Sequence, residues 1–158
     1  MKSEKGFTIV ELLIVIVVIG ILAAIVIVAY NGVQARANRT SAVSAANSIM
    51  KKAEAYNAVA SSYPSTLADF DTYAESKITG SGIGLIAAPV AASGKTTVTY
   101  QKCTAGAANG GGRIQFWDYS AATPGVSSAA DSLYVGVASA TTACTTWATA
   151  AGPLTAGS

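Results

Sequence analysis

The sequence predicts an α+β protein in which a long N-terminal helix packs against a small antiparallel β-sheet. Three observations support this fold class. An uncharged apolar run occupies residues 12–29, apolar residues then recur at helical spacing to about residue 61, and three segments rich in β-forming residues follow residue 95. A chain whose helical part and strand part are separated in this way is typical of α+β domains.

The apolar run is long enough to cross a membrane as a helix. It contains no charged side chain between residues 12 and 29, and residues 7–10 extend it backwards. A spanning helix needs about 20 apolar residues. A buried core helix is the alternative, but the chain has no second apolar segment of this kind to cover it. A secretory signal has a shorter apolar core with a small-residue cleavage site behind it. We therefore expect residues 7–30 to form a membrane-spanning helix.

The helix is expected to continue as an amphipathic segment over residues 31–61. Gly20 and the pair Asn31-Gly32 are weak helix formers, so the sequence leaves the continuity of the helix open. Pro64 biases Tyr63 toward extended backbone, which predicts the helix end just before it. The apolar positions that predict this segment are Val43, Ala46, Ile49 or Met50, Ala53, Tyr56 and Ala60.

A head of mixed structure is expected over residues 62–158. NGGG at Asn109–Gly112 predicts a turn between the first two strands, and TPG at Thr123–Gly125 interrupts the next connection. Trp117 and Trp147 are interpreted as packing residues. The predicted strands are Thr96–Cys103, Arg113–Tyr119 and Ser132–Ser139.

Composition argues against most enzyme classes. The chain has no histidine, so the commonest general base and the commonest ligand of catalytic zinc are missing. The glycine-rich stretch TGSGIG at Thr79–Gly84 lacks the spacing of phosphate-binding loops and predicts a surface loop. Asp69 and Asp71 are weak candidates for a calcium site. We expect no catalytic residue, no cofactor and no metal site.

A resemblance to a known family begins at the N-terminus. KGFTIVELLIVIVVIGILAAI, from Lys5 to Ile25, resembles the signature of type IV pilin precursors and their pseudopilin relatives. Its parts are a short basic leader that ends in Gly6, then Phe7, then Glu11 four residues later, then the apolar helix. YPSTLADF at 63–70 is similar to the loop that follows the long helix in many pilins. Many pilins carry a proline late in the apolar run, and this chain has none there.

The resemblance implies a defined processing event. A prepilin peptidase would remove residues 1–6 by cutting between Gly6 and Phe7, and would methylate the new amine of Phe7. A carboxylate in the hydrocarbon costs about 2.5–3.5 kcal/mol, so Glu11 needs a partner. The amine of Phe7 can serve, within one chain or from a neighbouring subunit, and the family assigns Glu11 this assembly role. An acid near a helix end without function is the alternative.

Cys103 and Cys144 are 41 residues apart (144 − 103), which is unlike the spacing of metal ligands. A disulfide is expected if the head lies outside the cytoplasm, and two free buried thiols are the alternative. A pair near the C-terminus also resembles the disulfide loop of many pilins.

The resemblance implies a major subunit of a type IV pilus. Its partners would be other copies of itself, the prepilin peptidase, the pilus assembly machinery and, before assembly, membrane lipid. The filament would serve adhesion, twitching motility or DNA uptake; only DNA uptake would bring nucleic acid into contact with it, and the surface ligand is not indicated. The precursor would cross the inner membrane once. The residues before Phe7 are too few to fold, whereas the predicted strands and both cysteines follow the span, so the head is expected outside. The mature subunit would end in a cell-surface filament. The alternatives are a pseudopilin of a type II secretion system, a minor pilin, and an anchored binding protein that does not polymerise.

Overall fold

The computed structural model describes residues 6–86, 94–103, 110–139 and 144. The interpretations of Trp147, of Asn109 and of leader residues 1–5 lie outside these residues. The chain forms two compact units, Met1–Ala35 and Arg36–Ser158.

Helix α1 extends from Ile9 to Ala60 and is 52 residues long. It contains an 18-residue apolar window with the length and composition of a membrane span, and none of that window is buried within the chain. Gly20 and Gly32 are both helical. A glycine costs only about 1 kcal/mol in a helix, and no proline interrupts this stretch, so the question of continuity is answered in favour of a continuous helix.

The end of α1 is set by its last residues and by the proline that follows. Ser61 has a left-handed backbone with φ 54°, and its N–H donates to the carbonyl of Asn57 at 2.9 Å. A left-handed residue at this position is a common way to stop a helix. A short helix α2, Leu67–Phe70, follows, and Thr66 and Asp69 form a capping box at its start.

The head contains a five-stranded sheet in which β3 is central. β2 lies along one edge of β3, and β4 and β5 both pair with the other edge, β5 near its start and β4 near its end. The predicted strands correspond to β2, β3 and β5, which confirms the fold class. The strands are β1 Gly84–Leu85, β2 Thr97–Cys103, β3 Gly111–Asp118, β4 Gly125–Val126 and β5 Leu133–Gly136.

Two details of the predicted sheet are wrong. The sheet is mixed, because β1 pairs with β2 in parallel. A parallel pair needs a crossover of about a dozen residues, and residues 86–96 provide eleven (96 − 86 + 1). The predicted turn at NGGG is also too long, since Gly111 and Gly112 belong to β3. Gly112 pairs with Lys102, and the ring of Tyr100, two residues from Lys102, lies over Gly112, so that a Cβ at Gly112 would collide with this ring.

The core of the head forms between the second half of α1 and the sheet. Alanines on this face of α1 allow a close approach of the sheet, and β2 is buried along almost its whole length. Phe70 packs edge-on against Tyr100, with ring centroids 5.1 Å apart. Trp117 is half-buried in β3. The buried apolar residues from α1 are Ala42, Ala45, Ala46, Ile49 and Ala53, and those from the sheet are Leu85, Val98, Tyr100, Ile114, Phe116 and Val135.

Candidate functional site: the N-terminal segment

The first half of α1 presents an unburied apolar surface. Every large apolar side chain from Phe7 to Val33 is between 48% and 85% exposed. A continuous apolar surface of this extent is not stable in water and marks a membrane or protein contact. The segment therefore needs lipid or other helices around it.

Glu11 lies in the first turn of α1. Its N–H donates to Thr8 Oγ1 at 3.2 Å, and the N–H of Leu12 donates to the Thr8 carbonyl at 3.3 Å. Thr8 thus caps the helix, and an acid three residues after the cap is favoured by the helix dipole. Sequence reasoning missed Thr8, although the spacing Thr-x-x-Glu is that of a capping box and could have revealed it.

Gly6 and Phe7 lie just before α1 and are both exposed. A Cβ atom on Gly6 would meet no other atom within 4 Å, so there is open space beside the backbone of Gly6. In this chain the nitrogen of Phe7 is a peptide nitrogen, without charge. Among the described residues Glu11 has no ion-pair partner.

The first 27 residues match the family model of the prokaryotic N-terminal methylation motif. A fimbrial protein of Pseudomonas aeruginosa is 50% identical over 54 residues, which cover 34% of this chain and 35% of that protein. The type IV major fimbrial protein FimA of Dichelobacter nodosus is 52% identical over 50 residues, 31% of either chain. The chain is consistent with a type IV pilin.

The similarity to these pilins has a limited extent. The chain spans about a third of the length of the curated relatives that it matches. No solved structure matches it. The long apolar helix and the small mixed sheet nevertheless fit the α+β fold of a type IV pilin.

The two cysteines of the head form a disulfide. Cys103 is buried at the end of β2, and Cys144 forms an isolated antiparallel bridge with it. The alternative of two free thiols is therefore wrong. The bond fixes residue 144 to the buried strand of the sheet.

The two acids considered for calcium organise separate loops. Asp69 Oδ2 accepts from the N–H groups of Ser65 and Thr66 at 2.5 and 2.7 Å. Asp71 Oδ1 accepts from the N–H groups of Ile78 and Thr79 at 2.8 and 3.1 Å. Burial would raise the pKa of Asp71, but the hydrogen bonds from Thr79 and Ile78 and the charge of Lys77 outweigh it and lower the pKa. Within the described ranges, no three His, Cys, Asp or Glu side chains are grouped to hold a metal ion.

A basic hollow lies beside the part of α1 that belongs to the head. Arg39 Nε donates to Asp118 Oδ2 at 3.2 Å and so joins α1 to the end of β3. Asp118 Oδ1 also accepts from the N–H and the hydroxyl of Ser120, at 2.8 and 2.9 Å. Burial raises the pKa of Asp118, but these hydrogen bonds and the charge of Arg39 lower it more. Sequence reasoning missed this pair, because 79 residues separate its members (118 − 39). The basic hollow is lined by Arg36, Arg39, Thr40, Val43 and Ser120.

Proposed function

We propose that this chain is the precursor of a type IV pilus subunit, and that its mature form polymerises through the first half of α1. The observation that carries the proposal is the exposed apolar surface from Phe7 to Val33, which begins within the sequence Gly6-Phe7-x-x-x-Glu11. This surface can be buried first in lipid and then against identical helices, whose small residues permit close packing.

In this proposal a prepilin peptidase cleaves between Gly6 and Phe7 and N-methylates Phe7. The cut precedes the apolar segment, so the anchor at residues 7–30 stays with the mature subunit. Loss of Lys2, Lys5 and Glu4 leaves 8 basic residues (10 − 2) and 7 acidic ones (8 − 1), a net charge of +1.

Cleavage also supplies a cation for Glu11. The amine of Phe7 in one subunit pairs with Glu11 of its neighbour inside the bundle of helices. Few other charged groups lie in the apolar bundle, and an unpaired charge there is costly. The pair of Phe7 and Glu11 therefore fixes the register of the subunits. The cap at Thr8 holds the first turn in which Glu11 lies.

The remaining parts of the chain follow from this arrangement. Residues 31–61 continue the helix out of the filament core, and residues 62–158 form the head on the outer surface. The precursor is anchored in the inner membrane with its head outside, and the assembly machinery moves it into a cell-surface pilus. Adhesion, twitching motility and DNA uptake are the activities we propose for such a filament.

Mass spectrometry of the N-terminal peptide from filaments sheared off the cells tests the proposal. We expect the abundant species to begin with N-methylated Phe7, and a strain without the prepilin peptidase, as the control, to contain only the chain that begins at Met1. A processed subunit absent from the sheared material would assign the chain to a pseudopilin instead. An uncleaved chain that remains in the membrane would indicate an anchored protein that does not polymerise.

A further inference from the structure

The basic hollow is built from one helix face and the loop after β3. It has a volume of about 560 Å³, which is within the range of small-molecule sites. Arg36 and Arg39 are three residues apart on α1 and therefore share a face of the helix. These arginines are the first charged residues after Glu11, with 24 uncharged residues between Glu11 and Arg36 (36 − 11 − 1).

The hydrogen-bond donors of the hollow are only partly used. Asp118 accepts a hydrogen bond from Arg39 Nε. The terminal Nη groups of Arg39 donate to no acceptor among the described residues. The Arg36 guanidinium makes neither an ion pair nor a hydrogen bond within the described ranges. Thr40 and Ser120 donate their hydroxyl hydrogens to Arg36 O and to Asp118 Oδ1. The two guanidinium groups thus provide the free donors, and Asp118 balances only one of the two positive charges.

Free guanidinium groups in this arrangement favour a phosphate group. A guanidinium presents a planar fork of N–H donors that matches two oxygens of a phosphate. A carboxylate is a second match for one fork, whereas the oxygens of a phosphate can accept from two forks at once.

Along the chain, the arginines of the basic hollow closely follow the apolar run. The apolar run ends at Ala29 and is followed by Tyr30, a residue type enriched at membrane–water interfaces. Arg36 follows six residues later, about 9 Å of helix rise. Long side chains of a helix lean toward its N-terminus, which for Arg36 is the side of the apolar run. The headgroup layer on each side of the hydrocarbon is several ångströms thick, so a long arginine can reach it.

We propose that the basic hollow binds the phosphate of an anionic phospholipid headgroup while the subunit is anchored in the membrane before assembly. This inference rests on the membrane stage of the proposed function and is independent of polymerisation. Binding there would hold the head against the lipid surface in one orientation before extraction.

The test uses the full-length precursor in a non-ionic detergent and dihexanoyl-phosphatidylglycerol as the probe, with the affinity measured by native mass spectrometry. Arg36→Gln should weaken binding about fivefold, the equivalent of about 1 kcal/mol per basic residue near an anionic lipid. Lys51→Gln is the matched control, because Lys51 is exposed on the same helix and its replacement removes the same charge. It should change the affinity less than twofold, and dihexanoyl-phosphatidylcholine should bind more weakly than the phosphatidylglycerol.

Four results would overturn the inference. Equal losses in the two variants would show a response to net charge alone, and equal affinity for the two lipids would contradict an anionic headgroup. Displacement of the lipid by an equal concentration of inorganic phosphate would assign the basic hollow to free phosphate. An Arg36→Gln subunit that binds lipid normally but forms no filaments would assign the hollow to an acidic group of a neighbouring subunit. A different result would separate the two proposals. If the wild-type protein binds the lipid through Arg36 but never forms filaments, the proposed function fails and this inference stands.

Discussion

Gly136 lies against the ring of Tyr63, and a Cβ atom on Gly136 would be 2.6 Å from Tyr63 Cε2. Gly136 ends β5, whereas Tyr63 follows the C-terminus of α1. The Tyr63 hydroxyl donates to Glu54 at 3.0–3.1 Å, so the ring is held from the α1 side. This contact links the last strand of the sheet to the end of the long helix, and only a glycine fits beneath the ring.

Replacement of Gly136 by alanine should lower the free energy of unfolding by about 2–5 kcal/mol. The left-handed backbone at φ 71° costs an alanine about 1–2 kcal/mol, and the overlap with the Tyr63 ring adds about 1–3 kcal/mol. Gly82→Ala is the matched control, because Gly82 has φ 72° and open space around it. Chemical unfolding in detergent, followed by tryptophan fluorescence, should separate the two variants. Equal losses would show that the ring moves aside at no cost.

Most of α1 and the three longer strands could be predicted from the sequence, because their patterns are local. The apolar run, the helical spacing of the alanines and Ile49, and the β-forming residues of β2 each depend on neighbouring residues. The parallel strand β1 could not be predicted, since two residues carry no pattern and their pairing depends on a partner more than ten residues away.

The glycines of β3 were misinterpreted for a related reason. Gly111 and Gly112 have the composition of a turn but belong to a strand. The Tyr100 ring lies so close to Gly112 that the strand has no room for a side chain there. In the candidate site the motif predicted Gly6, Phe7 and Glu11. The pairing of Arg39 with Asp118 depends on the tertiary fold, so nothing in the sequence around either residue could indicate it.

Reduction of the disulfide should destabilise the head by up to about 4 kcal/mol. The bond closes a loop with a sequence separation of 41 residues, and opening it returns conformational entropy to the unfolded chain. The denaturant midpoint of the purified protein should therefore fall when a reductant is added. A Cys103→Ser, Cys144→Ser double variant should have the lower midpoint with or without reductant. An unchanged midpoint of the wild type after verified reduction would contradict this expectation.

Asp118, which accepts hydrogen bonds from Ser120 and pairs with Arg39, should give the head an acid-dependent contribution to stability. The pKa of Asp118 is lowered in the folded protein from an ordinary value of 3.8, so the unfolded chain takes up a proton at higher pH than the folded chain does. The contribution is therefore complete above pH 3.8 and is lost as the pH falls through the lower, folded-state pKa. Asp118→Asn should cost about 1 kcal/mol at pH 7, the upper size for ion pairs at a protein surface, because this pair is only partly exposed.

Melting temperatures measured from pH 7 to pH 2.5 would test this sign. The difference between the wild type and Asp118→Asn should shrink below pH 3.8. Glu75→Gln removes the same charge from an exposed carboxylate for which the described residues provide no hydrogen bond, and it controls for net charge. A difference that stays constant across the whole range would show that the Asp118 variant acts through packing instead of ionisation.

Glu11 has two physical roles in the proposed function, and two substitutions separate them. Glu11→Leu removes the charge together with any favourable effect of an acid beside the cap, whereas Glu11→Gln removes the charge but keeps a residue that suits the third position of a capping box. If Glu11 pairs with the amine of a neighbouring Phe7, both variants leave that amine unpaired, at a cost of about 3–5 kcal/mol per interface. Both should therefore be cleaved and inserted normally and yield at least tenfold less sheared filament than the wild type.

Thr8→Val is the complementary control, because it removes the hydroxyl that accepts the N–H of Glu11 while it keeps the carboxylate. It should cost the helix about 1 kcal/mol and leave the filament yield near that of the wild type. Normal filaments from Glu11→Gln, together with few from Glu11→Leu and Thr8→Val, would reverse the assignment. Glu11 would then act on the first turn of its own helix, and the register of the subunits would depend on the packing of the apolar side chains alone.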